Sequence, residues 1–320
     1  MRGAYGRLAP VNKPALTLGT YLTGVLPEVP AAEDYIGQGG WEMLGNDVAG
    51  DCVGVTWANE RRLVSTVLTP NGYYPAQDQV WAVYQTQNPD FDPNGTAETN
   101  GPGSEADRGM VIQTLLEHLV KVGGPDGVKA LGFAKVDQHN PQEVRAALAI
   151  FGCLWTGIDV TAVNEQEFDA GKPWSVAATS PVVGGHSVMT GGYGGMGMGP
   201  LAGAVRGITW AQEFSFTAAY LSKRVEELWA VIWPEHLTGT YFLDGMNLSQ
   251  FAADYTAITG RPFPAVVPSP PPPAPGGFVA DELDRALADH LDPWAAAHHI
   301  GANEKAVKAY MTWRAGKTGL

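Results

Sequence analysis

The chain predicts an α+β fold in which a helical half precedes a half built of antiparallel strands, with a cleft between them. Two observations carry this. Apolar residues recur at helical spacing in most segments up to Phe151, and from 153 onward β-branched and aromatic runs alternate with Gly-rich turns. With 45% hydrophobic and 17% charged residues, a 320-residue chain can also bury the core that such a domain needs.

Residues 1–40 are punctuated by Pro and Gly and read as an extended arm over the body of the domain, anchored at 16–22. A helix is expected from Cys52 through Val64, a stretch without Pro whose internal breaker is Gly54. Further helices are expected at 76–87, at 104–122 with Val111, Leu115, Leu119 and Val122 on one face, and at 141–151 behind Asn140-Pro141. Strands are expected at 153–160, 186–194, 204–211 and 225–233, followed by an amphipathic helix at 247–258. The domain is expected to span 1–261. Residues 262–278, with Pro268-Ser269-Pro270-Pro271-Pro272-Pro273-Ala274-Pro275, form a stiff polyproline II-like linker. Residues 279–320 read as a helical tail, with Leu283, Leu287 and Leu291 four apart and a second helix from about Asn303 to Ala315. A segment that short rarely folds alone, so the tail is expected to dock on its own domain or on a partner.

A net charge of -13 opposes a surface that tracks phosphates, and nucleic acid is not an expected partner. No run of about 18 apolar residues is present, so no membrane span is expected. The first residues lack the continuous apolar segment of a secretory signal. Two cysteines are too few for a disulfide framework. Cys153, in the apolar run Cys153-Leu154-Trp155-Thr156-Gly157-Ile158, reads as a core residue rather than a bridge to Cys52.

Cys52 is the residue that points to chemistry. It closes Asn46-Asp47-Val48-Ala49-Gly50-Asp51-Cys52 and opens a helix, where free amides favour a thiolate. Gly50 suits the tight turn that presents it. His186, in Gly185-His186-Ser187-Val188-Met189-Thr190-Gly191-Gly192-Tyr193-Gly194, offers the proton carrier that a nucleophilic thiol requires. The Asn46 amide and the Cys52 backbone N–H are suited to holding an oxyanion.

These segments resemble the papain-like cysteine peptidases, in which a Gln stands at the place of Asn46 and the His opens a strand ending in Gly-Tyr-Gly. The resemblance implies a two-lobed papain-like fold, with Cys52 as nucleophile, His186 as general base and acid, and Asn46 as oxyanion donor. The phrasing Gly45-Asn46-Asp47 and Gly50-Asp51-Cys52 is similar to a bacteriophage and bacterial group of that family, which lacks an inhibitory propeptide. It implies a hydrolase of amide bonds in proteins or peptidoglycan peptides, with no cofactor or metal, placed in a virion or host cytoplasm. The family's Asn-Ser-Trp-Gly segment aligns with Ile208-Thr209-Trp210-Ala211, so Ile208 replaces the amide that orients the histidine. Gln212 or Asn164 are candidates to substitute, and Trp210 is expected to cover His186. Asp51 beside the thiol opposes thiolate formation unless it faces solvent or a cation. These departures, with the Pro-rich segment and tail, leave a second reading: a virion structural protein using the fold as a scaffold, with assembly partners through 262–320.

Three other motifs read as structure. Asp90-Phe91-Asp92-Pro93-Asn94-Gly95 begins like a calcium loop, but Gly101 stands where a bidentate Glu is needed, which leaves an Asx-rich turn. His290, His298 and His299 lack accompanying ligands for a metal. Gly191-Gly192-Tyr193-Gly194-Gly195 lacks the Lys and Ser or Thr of a phosphate loop and reads as a strand entering a hairpin.

Overall fold

Helix α1 (Cys52–Leu68) forms through the expected Pro-free stretch, and almost every residue up to Ser65 is buried. Its one glycine, Gly54, lies where a Cβ would meet Val80 at 3.2 Å, so the small residue lets a second helix approach. The polar residues of α1 are buried with partners, as burial demands. Asn59 accepts from the Tyr74 hydroxyl at 2.7 Å, Glu60 from the Trp155 indole at 2.6 Å, and Arg61 reaches Asp126 and Glu235, both at 2.7 Å.

The computed structural model describes residues 3–22, 32–37, 39–68, 72–177, 179–194, 205–238 and 247–263. Most of the Pro-rich segment and the whole of 279–320, with His290, His298 and His299, lie outside them. Before α1 come β1 (Leu16–Thr17), a 3-10 turn and β2 (Glu33–Asp34). After it come α2 (Gln77–Gln85), α3 (Ile112–Lys121), β3 (Gly132–Val136), α4 (Pro141–Phe151), β4 (Leu154–Thr161) and α5 (Ala162–Asp169). The remaining elements are β5 (Val182–Tyr193), β6 (Val205–Thr209), β7 (Gln212–Phe216), α6 (Ala218–Arg224), β8 (Val225–Ile232), α7 (Pro234–Thr238) and α8 (Leu248–Thr259).

The strands make one sheet in the order β1-β3-β8-β4-β5-β6-β7, with β2 added to β5. All pairs are antiparallel except β1 with β3. Both faces of its centre are covered, which is why residues 228–232 of β8 read as a continuous apolar run. Along β8, Leu228, Ala230 and Ile232 enter a core shared with α4, α6 and α8, whereas Trp229 and Val231 enter the core of α1, α2 and α3. The fold is α+β, as the order of signals predicts.

Local chemistry explains where expectation and structure meet. Asn140 caps α4 by accepting from Gln142 and Glu143 amides, Pro141 takes the first turn, and Gly152 closes it at φ 77°. The expected helix at 104–122 is shortened to Ile112–Lys121. Residues ahead of it are held by tertiary bonds, because the Asp107 carboxylate accepts from Gly50 N at 2.9 Å, Tyr84 Oη at 2.5 Å and Gly103 N at 2.9 Å. The expected strand at 204–211 is cut at Thr209 by a two-residue hairpin turn, Trp210 at φ 47° and Ala211 at φ 62°. Such a turn needs two positive φ values and is normally marked by Asn or Gly, so the sequence carried no signal for it. Asn94 N donates to Asp92 Oδ1 at 2.9 Å, the Asx turn expected there. Phe263 packs on Phe251 and Tyr255.

Candidate active site

Cys52 is the first residue of α1, and the turn before it is fixed by the Gly50–Asp107 bond. Thr56, one turn on, donates to the Cys52 carbonyl at 3.0 Å and bonds the Ser187 hydroxyl at 2.8 Å. Ser187 follows His186 on β5, so this bridge sets the register of the thiol helix against the histidine strand. Cys52, His186 and Asn46 line one cavity with Thr56, Asn59 and Trp210, and the space left in it is about 10 Å³, the lower limit for a single water. The three expected residues are brought together, and Cys52 and Cys153 are both free thiols.

His186 is 1% exposed and pairs across the sheet with Ile158. Its Nε2 lies 2.7 Å from the Thr209 hydroxyl, whereas Nδ1 is buried without a partner. When the hydroxyl accepts from Nε2–H, Nδ1 keeps its lone pair, the form able to take a proton from a thiol. The residue that meets the ring nitrogen is Thr209. Ile208 borders the same cavity but is buried in a cluster with Ile36, Trp41, Leu63, Cys153 and Met189. Successive strand residues face opposite sides, so a one-residue difference in alignment exchanges a core residue for a site residue. The candidates named as substitutes are occupied elsewhere: Asn164 bonds Thr161, Glu167 and Ser175, and Gln212 is exposed at the start of β7. Trp210, held in its positive-φ turn, covers His186 with ring centroids 5.0 Å apart.

Asn46 Nδ2 donates to the Ala4 and Ala49 carbonyls, both at 3.1 Å. Asp51 neither faces solvent nor meets a cation. It is fully buried, and the nearby Asn46 amide gives its donors to those two carbonyls. Burial pushes its carboxyl well above the usual range, opposed in part by Asn46, and what charge it carries raises the neighbouring Cys52 thiol.

Residues 3–8, expected to run over the body of the domain, instead thread the cleft. Ala4 N donates to the Asn46 carbonyl at 2.5 Å, Arg7 N to Gly185 O at 3.0 Å, and Leu8 N to Met110 O at 2.8 Å. The Tyr5 ring stands edge-on to His186, centroids 5.8 Å apart. A Cβ on Gly6 would overlap the Gly50 carbonyl, so only glycine passes over the turn that presents Cys52. Residues 3–8 therefore cover the cleft. Under this cover burial pushes the Cys52 thiol up to about 12, with the Ser187 and Gly6 amides pulling the other way. Burial, and then the Arg7 charge, hold His186 down at about 3. The pair is thus thiol and neutral imidazole in this state.

No metal-ligating group of three or more His, Cys, Asp or Glu exists among the described residues. No described helix is long and apolar enough to cross a membrane.

No protein-family model matches the chain, and no curated protein sequence matches it either. Among solved structures it is similar to xylellain, a cysteine protease from Xylella fastidiosa, with a TM-score of 0.50 and 13% identity over 72% of this chain and 96% of that one. A Carica candamarcensis cysteine protease, CMS1MS2, aligns with a TM-score of 0.42 and 12% identity over 64% and 99% of the two chains. Digestive procathepsin L 3 of Tenebrio molitor larval midgut aligns with a TM-score of 0.46 and 9% identity over 72% and 75%. The chain has the papain-like fold.

Proposed function

We propose that the chain is a papain-like thiol hydrolase that cleaves amide bonds in protein or peptidoglycan peptides. The observation that carries this reading is the shared cavity: Cys52 at a helix start, His186 with a buried unpartnered Nδ1, and the Asn46 amide. Cys52 Sγ attacks the carbonyl carbon as its proton passes to His186 Nδ1. Once residues 3–8 are displaced, the Asn46 N–H now given to the Ala4 carbonyl, together with the Cys52 backbone N–H, holds the oxyanion. The C–N bond then breaks, and the imidazolium delivers the proton to the leaving amine. Water, deprotonated by the same imidazole, hydrolyses the thioester and restores the thiol. Thr209 acts through His186 as a positioning residue.

The finer assignment, to the phage and bacterial group, rests on the resemblance of 45–52. The sealed, uncharged pair favours one further reading, a virion scaffold with little turnover, for which the Pro-rich segment and tail would supply the assembly contacts. Hydrolysis of peptide libraries and purified peptidoglycan by the full chain, with Cys52→Ala as control, tests the first. Activity lost in Cys52→Ala supports it. Activity that persists in that variant, or stoichiometric incorporation into particles without hydrolysis, overturns it.

A further inference from the structure

The segment that fills the cleft also shows what the cleft selects. Arg7 is buried, its side chain 2% exposed, and three carboxylates surround its guanidinium: Asp159 at 2.9 Å, Glu226 at 3.0 Å and Glu227 at 3.4 Å. Nη2 also approaches the Ile158 carbonyl at 3.4 Å. Glu227 is wholly buried and also accepts from the Trp229 indole at 2.8 Å, whereas Asp159 and Glu226 keep 27% and 41% of their side chains exposed. Three carboxylates face one cation, and burial raises two of them, Asp159 and Glu227, with Glu226 adding to the rise at Asp159.

The pocket is walled by glycines where the arginine passes. A Cβ on Gly157 would meet Glu227 Cγ at 2.5 Å and Arg7 Cδ at 2.9 Å, and one on Gly185 would overlap the Arg7 carbonyl. It lies beside the reacting groups, because Arg7 N bonds the carbonyl of Gly185, the residue before His186, and the preceding Gly6 amide faces Cys52. What this segment presents to the thiol is an N–H and not a carbonyl carbon, so it lies against the nucleophile without being a substrate. An independent sign that the groove is built for an occupant is His186 Nδ1, buried and unpartnered beneath the same segment.

We propose that the pocket of Asp159, Glu226 and Glu227 is a recognition subsite for the guanidinium side chain of a peptide substrate, and that residues 3–8 occupy it in cis until substrate displaces them. The proposal rests on the reading of Cys52, His186 and Asn46 as a thiol-hydrolase site. It commits the substrate class to peptides bearing arginine near the cleaved bond.

The test uses the full chain. Gly6→Val places a side chain against the Gly50 carbonyl and unseats the segment; combined with Cys52→Ala it gives an inert binder. Fluorescent hexapeptide libraries with arginine or citrulline fixed at one position at a time are titrated against it. Arginine should bind at least about tenfold more tightly than citrulline at one position, and Glu226→Gln with Glu227→Gln should bring that ratio toward one. A ratio near one at every position, or one untouched by the Gln substitutions, overturns the proposal. A second variant covers failure of the first to fold. Arg7→Ala empties the pocket without moving the backbone, and millimolar ethylguanidinium should raise its melting temperature where ethylurea does not; equal effects overturn the proposal. Iodoacetamide labelling of Cys52 and hydrolysis by Gly6→Val report on the hydrolase reading separately, since arginine preference can survive an inert thiol.

Discussion

Replacing Thr209 by Val separates the orienting role assigned by geometry from the role that alignment gave to Ile208. The change is close to isosteric, so it opens no cavity, and what it removes is the 2.7 Å bond to His186 Nε2. Both residues are buried, at 1% and 3% exposure, and Nδ1 already lacks a partner, so the variant leaves both imidazole nitrogens unsatisfied. A buried polar group stranded in this way costs about 1–3 kcal/mol. For a domain of this size that lowers the melting temperature by about 2–4 °C per kcal/mol. The same loss releases the ring to either tautomer, and Cys52 alkylation in the Gly6→Val background should slow by about 100-fold, the lower end of what a positioned general base contributes. Ile208→Asn is the paired control. If Ile208 held the orienting position, an amide there would speed alkylation. In this fold it buries an amide among Ile36, Leu63 and Met189, costs about 2–4 kcal/mol, and speeds nothing. Urea denaturation and timed alkylation with peptide mapping read both quantities. Thr209→Val indistinguishable from wild type in both, or Ile208→Asn that alkylates faster, would refute the assignment.

Three further outcomes follow from buried or strained positions. Burial raises the Asp51 carboxyl well above its unfolded range, so above about pH 4 the folded state holds more of this proton than the unfolded chain, and stability falls as pH rises. Asp51→Asn should match wild type near pH 4 and gain on it by up to about 1.4 kcal/mol per pH unit above that, measured by denaturation across pH; a constant difference would contradict it. Ala211, at φ 62° in the hairpin turn, should give about 0.5–1 kcal/mol of stability on replacement by Gly, read from the same melts. Arg61 sits between Asp126 and Glu235 over the Trp233 ring, and Arg61→Met should cost about 3–5 kcal/mol by stranding buried carboxylates, with Asp126→Asn restoring part of it in the double variant.

Local signals were enough where the chain answers to itself. Asn140, Pro141 and Gly152 bound α4 through caps that involve only neighbouring backbone, and α1 starts at Cys52 because nothing after it breaks a helix. Cys52, His186 and Asn46, which line one cavity, could be picked out because each sits in a short run of residues with its own chemistry. The hairpin at Trp210-Ala211 was not, since these residues hold positive φ under tertiary packing against His186 and Phe168 and carry no turn residue. Strand β3 escaped notice as well, being five residues that gain their pairing from the distant β8.

Sequence by itself determined the α+β class, the helix that carries Cys52 and the residue types at the site. The tertiary structure decided that Thr209 and not Ile208 meets the imidazole, because one step along a strand reverses the face. It also decided that residues 3–8 fill the cleft and that Arg7 meets Asp159, Glu226 and Glu227. Those partners stand far apart in the chain, and only the closed sheet brings their charges into one buried space, where low exposure makes each charge matter.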